Sequence, residues 1–255
     1  MEFQFKISKH YLLAHTLGQY ESPFKDWKKF RDNLQKKIPR SFYLFSWHPE
    51  GALIGEDFDN KLESLFKETK ILFNYISRSP EFQKLYDETK KYLFFVKNQW
   101  KVNEKEALKI IRGLSGIDLS DKKISVFITH PKLRNGVNFP PFEAIGWGHP
   151  EDWKNYSTVY LCHELMHLLV ENKQKNEQIT HAIIELMIDN ELRIRLNKKG
   201  IYFKEGKHNI GHPYLRQIEE KILPYWRKYL KQKKKDVFKF EKEVSKILKN
   251  KKRDC

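Results

Sequence analysis

Residues 159–170 of this 255-residue chain read VYLCHELMHLLV. It is apolar almost all round, a pattern that predicts a helix buried through the middle of a domain. Two histidines and a glutamate, His163, Glu164 and His167, interrupt the apolar run. Such groups are costly to bury without a partner, which indicates that this segment binds something.

The spacing within His163-Glu164-Leu165-Met166-His167 is that of an HExxH motif. Four residues advance a helix by about 400°, so both imidazoles face the same way, one turn apart. Two neutral imidazoles placed in this way can hold Zn²⁺ at about 2.0–2.1 Å. Glu164 is offset by about 100° from His163. That offset places its carboxylate beside the metal rather than on it, where it can act as a general base.

A third ligand is expected from the next helix, predicted over Ile179 to Leu196, because catalytic zinc sites use three protein ligands. The acidic residues and histidines of that helix are the candidates. His181, Glu185 and Asp189 are spaced by four and share one stripe, whereas Glu191 falls on another face. The pattern therefore predicts a ligand from the shared stripe.

At these residues the sequence resembles the gluzincin metallopeptidases, in which a glutamate on the helix after HExxH binds zinc. In thermolysin-like members an aspartate four residues later hydrogen-bonds a zinc-bound histidine, and Glu185-Leu186-Met187-Ile188-Asp189 has this arrangement. The resemblance covers about residues 124–196. It implies one Zn²⁺ per chain, held by His163, His167 and Glu185, with Glu164 as the base and Asp189 supporting a ligand.

A second resemblance gives a different third ligand. Spartan-like and SprT-like proteases carry HExxH with a third histidine a little over a dozen residues further on, and they act around DNA. Thirteen residues separate His167 from His181 here. The glycine and aromatic residue that usually follow that histidine are replaced by Ala182-Ile183-Ile184. The Glu185–Asp189 pair favours Glu185, and His181 stays open as the alternative.

Peptide hydrolysis also needs a donor for the oxyanion that forms at the carbonyl. Candidate donors are His208, His212 and Tyr214, which follow the second helix in the order that gluzincin-like folds use. Residues 143–148 are a candidate sheet edge along which an extended peptide could add a strand.

The rest of the chain predicts an α+β fold that is mostly helical, with a small mixed sheet packed on the buried HExxH helix. Strands are expected at residues 3–7, 124–129 and 142–148, and helices at 11–17, 62–76, 82–96, 104–114 and from 237 onward. Three regions follow: a mostly helical 1–120, a zincin-like catalytic core 121–212, and a helical, Lys-rich 213–255 packed with the core as one unit.

Charge is concentrated at the end of the sequence. The formal net charge is +16, and residues 227–255 hold thirteen Lys or Arg against four Asp or Glu. This segment could make weak, salt-dependent contacts with nucleic acid. No apolar run approaches 18 residues, so no membrane span is expected. The N-terminus lacks a signal-peptide layout, and Cys162 and Cys255 do not form a disulfide framework, so we expect a cytoplasmic protein.

These observations predict a zinc metallopeptidase that acts on peptide or protein substrates with Glu164 as general base. The alternative is a nucleic-acid-associated protein that binds through its basic tail. That protein would be either a three-histidine protease of the Spartan or SprT type or a non-catalytic regulator with a zincin fold.

Overall fold

The computed structural model describes residues 1–18, 25–37, 39, 73–170 and 176–251. Helices predominate, and one mixed four-stranded sheet and one two-stranded hairpin accompany them, which confirms the α+β class. The predicted helix at 62–76 lies outside the described residues as far as residue 72. The strands are β1 Glu2–Lys6, β2 Lys123–Ile128, β3 Asn135–Phe139, β4 Ala144–Gly148, β5 Lys204–Glu205 and β6 His208–Asn209. The helices are α1 Lys9–Gly18, α2 Lys25–Lys37, α3 Pro80–Ser115, α4 Tyr156–Val170, α5 Glu177–Ile184, α6 Arg193–Asn197, α7 Arg216–Leu230 and α8 Val237–Lys251.

The four-stranded sheet has the order β1-β2-β4-β3. Strand β4 runs parallel to β2 and antiparallel to β3, with Ala144 opposite Phe139 and Gly148 opposite Asn135. The prediction that residues 143–148 form a sheet edge is therefore wrong. The sequence around β3 is rich in Pro, Gly and Asn and did not predict a strand. In the structure β3 pairs with β4 along its whole length.

Helix α3 is one helix of 36 residues where the sequence predicted two. The intervening residues 97–103 contain neither Gly nor Pro, and Trp100 stays buried there, so the apolar stripe continues. The helix begins at Pro80, and the Phe82 N–H donates to Ser79 Oγ at 3.2 Å. Gly116, at φ +73°, follows the last residue, and a Cβ there would collide with the backbone oxygen of Lys235.

The helix after HExxH is continuous from Glu177 to Asn197, as predicted, but its middle, Glu185–Leu192, is π-helical. The wider turn is accompanied by a buried Asn190, whose amide donates to the Glu185 carbonyl at 3.0 Å and accepts from the Phe203 N–H at 2.7 Å. Wide turns of this kind are rare in proteins, and those that occur frequently lie at functional sites.

The chain divides into two compact units. One comprises residues 1–2, 98–123 and 151–255, and the other comprises 3–97 and 124–150. The HExxH helix, the π-helical segment and the basic C-terminal helix all belong to the first unit, which therefore contains every candidate site residue. The predicted catalytic core, 121–212, contributes residues to both units. None of the described helices is long and apolar enough to cross a membrane.

Candidate metal centre

Three histidines converge in the first unit. His163 and His167 on α4 are buried, with their Nε2 atoms 2.9 Å apart. The ring of His181, on α5, lies 4.5 Å from that of His167. One ligand atom from each of the three lies within 4.8 Å of the others, a spacing that suits a single metal ion.

Two of the three imidazoles, those of His163 and His181, present lone pairs rather than protons. Burial and the neighbouring rings lower the pKa of His163 to about 3 and that of His181 to about 3. The His181 Nε2 atom is buried and has no hydrogen-bond partner. Histidine binds metals in its neutral form, so His163 and His181 have the protonation state that a metal requires.

Asp189 lies behind His163. Its Oδ1 atom is 2.8 Å from His163 Nδ1, and both side chains are buried. When Asp189 is ionised it can only accept, so that His163 Nδ1 carries the proton and Nε2 is left for a metal. A carboxylate behind a ligand histidine is the usual arrangement in metal sites. Burial raises the pKa of Asp189 to about 7.

Glu185 belongs to a different ligand group from the two histidines of the HExxH motif. It is completely buried, and its Oε1 atom accepts the His212 backbone N–H at 2.9 Å and also pairs with His212 Nδ1. His181 Nε2 is 3.6 Å from the same oxygen. Glu185 forms a second potential metal group with His181 and His212, whereas His163 and His167 group with His181.

Glu164 is 9% exposed and follows His163 directly on α4. Its negative charge favours the protonated forms of both His163 and His212. The Glu164 carboxylate is therefore near enough for its charge to act on these histidines, but it belongs to neither ligand group.

The candidate oxyanion donors separate into two sets. The ring of His212 lies 4.8 Å from that of His181, and the Tyr214 ring, which is 64% exposed, lies 5.3 Å from that of His212. His208 pairs with Glu205 in the β5–β6 hairpin and joins neither histidine group. The structure therefore brings His212 and Tyr214 to the cluster, and not His208.

The sequence did not predict the pair formed by Glu219 and Arg216 next to Glu185. Glu219 on α7 is completely buried, and its Oε2 atom is 3.1 Å from Arg216 Nη1. Burial, followed by the neighbouring charge of Glu185, raises the pKa of Glu219 to about 8. One signal was available: Glu219 shares the apolar stripe of α7 with the buried Leu215, Ile222 and Trp226.

Arg193 is a second missed residue, buried completely at the end of the π-helical segment. Its guanidinium donates to the Asp189 carbonyl at 2.7 Å, to the Ile201 carbonyl at 2.6 Å, and to the Glu205 carboxylate. Arg193 thereby ties the backbone of Asp189 to the turn that follows α6.

Replacing Arg193 with Met is expected to lower the free energy of unfolding by about 3–5 kcal/mol, because the Glu205 carboxylate loses its buried partner. Arg195→Met is the matched control. The Arg195 side chain is 46% exposed, and its ion pair with Glu191 should contribute only about 0–1 kcal/mol. Urea unfolding followed by circular dichroism measures both. Equal losses in the two variants would contradict the structural role of Arg193.

No protein family model matches the chain, and no curated protein or solved structure matches it. The likeness to zincins therefore depends on the HExxH motif, the histidine cluster and the carboxylate behind His163. Of these features, His163, His167 and His181 form the group that could hold a metal.

Proposed function

We propose that the protein is a zinc-dependent hydrolase of peptide bonds, with zinc held by His163, His167 and His181. The proposal rests on the convergence of three imidazoles, with ligand atoms within 4.8 Å of one another, on a helix pair that also carries Glu164. The donor set fits zinc, since three protein ligands with a fourth position left for water or substrate are typical of catalytic sites.

His181 is preferred to Glu185 as third ligand because of what each group already binds. The His181 Nε2 atom has no hydrogen-bond partner, whereas Glu185 Oε1 already pairs with two nitrogens of His212. Glu185 Oε2 has no such contact, but Glu185 does not belong to the ligand group that His163 and His167 form with His181. Its role in the proposal is to hold His212.

Bound zinc would supply the Lewis acidity that polarises a peptide carbonyl and makes water nucleophilic near neutral pH. Glu164 takes the proton from the attacking water and returns it to the leaving amine. Asp189 fixes the ring of His163 through the 2.8 Å contact, so that Nε2 keeps its direction.

His212 is suited to stabilise the oxyanion. The hydrogen bond to Glu185 raises the pKa of His212 above its ordinary value, which favours the charged, donating form. The side chain is also 46% exposed, so substrate can reach it. A preorganised donor of this kind acts on charge that develops at the carbonyl oxygen.

Removal of zinc tests the proposal. Purified protein is expected to cleave an unfolded protein substrate, to lose that activity after dialysis against a chelator, and to regain it with one equivalent of zinc. Release of labelled peptide measures hydrolysis, and mass spectrometry measures the metal. Undiminished cleavage by protein shown to be zinc-free would contradict the proposal.

A DNA-associated protease is the second candidate, because a three-histidine set is the Spartan-like and SprT-like pattern. The turn before α8 exposes Lys231, Lys233 and Lys234. Helix α8 buries Val237 and Phe240 and exposes Lys239, Lys242, Lys246 and Lys249. In the cleavage assay above, added duplex DNA should accelerate hydrolysis at low salt and lose its effect near 0.2 M salt if this candidate is right.

We also propose a cytoplasmic location, since Cys162 is a buried free thiol.

A further inference from the structure

We propose that Asn190 is a positioning residue of the three-histidine centre. Its side chain supports the π-helical segment, and that segment sets the positions of Asp189 and Glu185. The inference rests on the proposed function, because it concerns the same site. It goes beyond that function by assigning a role to a residue outside both ligand groups.

Asn190 is completely buried and uses both ends of its amide. Nδ2 donates to the Glu185 carbonyl at 3.0 Å, and Oδ1 accepts the Phe203 N–H at 2.7 Å. A carbonyl can only accept and a backbone N–H can only donate, so these two partners fix the orientation of the amide. A hydrocarbon side chain of similar size satisfies neither partner, and a buried polar group left without a partner is costly.

The hydrogen bonds along the helix show where it departs from α geometry. At the start of the π-helical segment, the Glu185 N–H bonds to the His181 carbonyl, four residues back. At its end, the Arg193 N–H bonds to the Ile188 carbonyl, five residues back. The bond from Asn190 Nδ2 to the Glu185 carbonyl also spans five residues, so the side chain supports the wide turn.

The wide turn explains how His181 and Asp189 both reach the HExxH histidines. His163 and His167 are four residues apart, which is about 6 Å along α4. His181 and Asp189 are eight residues apart, which would be about 12 Å in a regular α-helix. A turn closed by a five-residue bond uses more residues per turn and advances less per residue. Asp189 is therefore drawn back along the helix, where its Oδ1 atom meets His163 Nδ1 at 2.8 Å.

The second hydrogen bond of Asn190 holds the segment that carries His212. Phe203 has a φ of +69°, a left-handed conformation that is uncommon for a bulky residue. Its N–H is bound by Asn190, and its carbonyl accepts the Ile210 N–H at 3.0 Å. Two residues further on, the His212 N–H donates to Glu185 Oε1 at 2.9 Å. Asn190 therefore links the π-helical segment to the segment that carries His212.

Amide hydrogen exchange of the metal-free protein, followed by NMR, tests this role without reference to hydrolysis. Asn190→Leu keeps a similar volume but removes both hydrogen-bonding groups. We expect the protection of the Phe203 and His212 amides to fall at least about tenfold, because local opening no longer has to break the bonds of Asn190.

Asn197→Leu is the matched control. Asn197 lies on the same continuous helix, is 6% exposed, and also makes two hydrogen bonds through its amide, at 3.0 Å to the Lys154 carbonyl and at 2.8 Å from Asn155 Nδ2. These bonds lie outside the π-helical segment. The control should therefore lose a comparable free energy of unfolding while the Phe203 and His212 amides keep their protection relative to global unfolding.

Zinc affinity, measured by competition with a chromophoric chelator, gives the consequence for the metal. It should fall about 10–100-fold in Asn190→Leu, as when a group that supports a ligand is lost, and stay at the wild-type value in Asn197→Leu. Wild-type protein that binds zinc but cleaves no peptide would contradict the proposed function alone, since neither measurement depends on turnover. If the wild type binds no zinc, the exchange measurement alone decides whether Asn190 positions the histidines.

Equal protection of the two amides in both variants, or wild-type zinc affinity in Asn190→Leu, would overturn the positioning role and leave Asn190 as a packing residue. If Asn190→Leu does not fold, as judged by circular dichroism, Asn190→Ser replaces it, with Asn197→Ser as its control. The serine hydroxyl fits the space but is too short to reach both partners.

Discussion

Replacing Glu164 with Gln is expected to reduce peptide hydrolysis by about 10²–10⁴-fold, the usual contribution of a positioned general base. Gln has nearly the same shape as Glu, but its amide cannot take a proton from water at neutral pH. Glu164 belongs to neither ligand group, so the zinc content of the variant should equal that of the wild type.

Parallel measurement of turnover and zinc content distinguishes a lost base from a lost metal. Glu220→Gln on α7 makes the same chemical change at an exposed position and should leave both quantities unchanged. A Glu164→Gln variant that retains zinc and also retains wild-type turnover would show that another group takes the proton. The mechanism proposed above would then be wrong, whatever the ligand set.

The motif could be predicted from sequence because its geometry is local. His163 and His167 are one helical turn apart on α4, and the turn fixes their shared face before any tertiary contact forms. Their 2.9 Å separation follows from that spacing. The prediction of a buried helix was equally local, since an all-round apolar segment needs cover on every side.

The third ligand could not be decided in the same way. The predicted stripe of His181, Glu185 and Asp189 assumes four-residue steps along a regular α-helix, but the helix widens into π geometry from Glu185 onward. Asp189 still reaches His163, whereas Glu185 pairs with His212 from a turn 27 residues later in the chain. A local pattern cannot anticipate a partner that the tertiary fold supplies.

Tertiary contacts explain the remaining differences. Glu219 has charged neighbours in α7, and Arg193 lies between Glu191 and Arg195, a composition typical of solvated helix faces, yet both are completely buried. Strand β3 has the composition of a loop and is held by its pairing with β4. In each case a contact distant in sequence overrides the local preference.

Replacing His181 with Ala is expected to weaken zinc binding about 100-fold or more. Binding free energies of about 10–16 kcal/mol for four-ligand zinc sites correspond to about 3 kcal/mol per ligand, and each 1.4 kcal/mol is tenfold. Glu185→Gln removes a carboxylate that pairs with His212 and should change the affinity of the three-histidine site for zinc far less than His181→Ala does. Asp189→Asn, which removes the charge behind His163, should weaken binding by about 10–100-fold.

Competition with a chromophoric chelator at less than one equivalent of zinc measures this affinity. The order of loss is diagnostic, because the two candidate third ligands lie on one helix and in contact, with His181 Nε2 3.6 Å from Glu185 Oε1. A large loss in Glu185→Gln with His181→Ala close to wild type would establish the gluzincin-like set. In that case Glu185, which is not in the ligand group of His163 and His167, would have to move towards them when zinc binds, and His181 would become a bystander. The three-histidine set requires no such rearrangement, and for that reason we expect His181→Ala to have the larger effect.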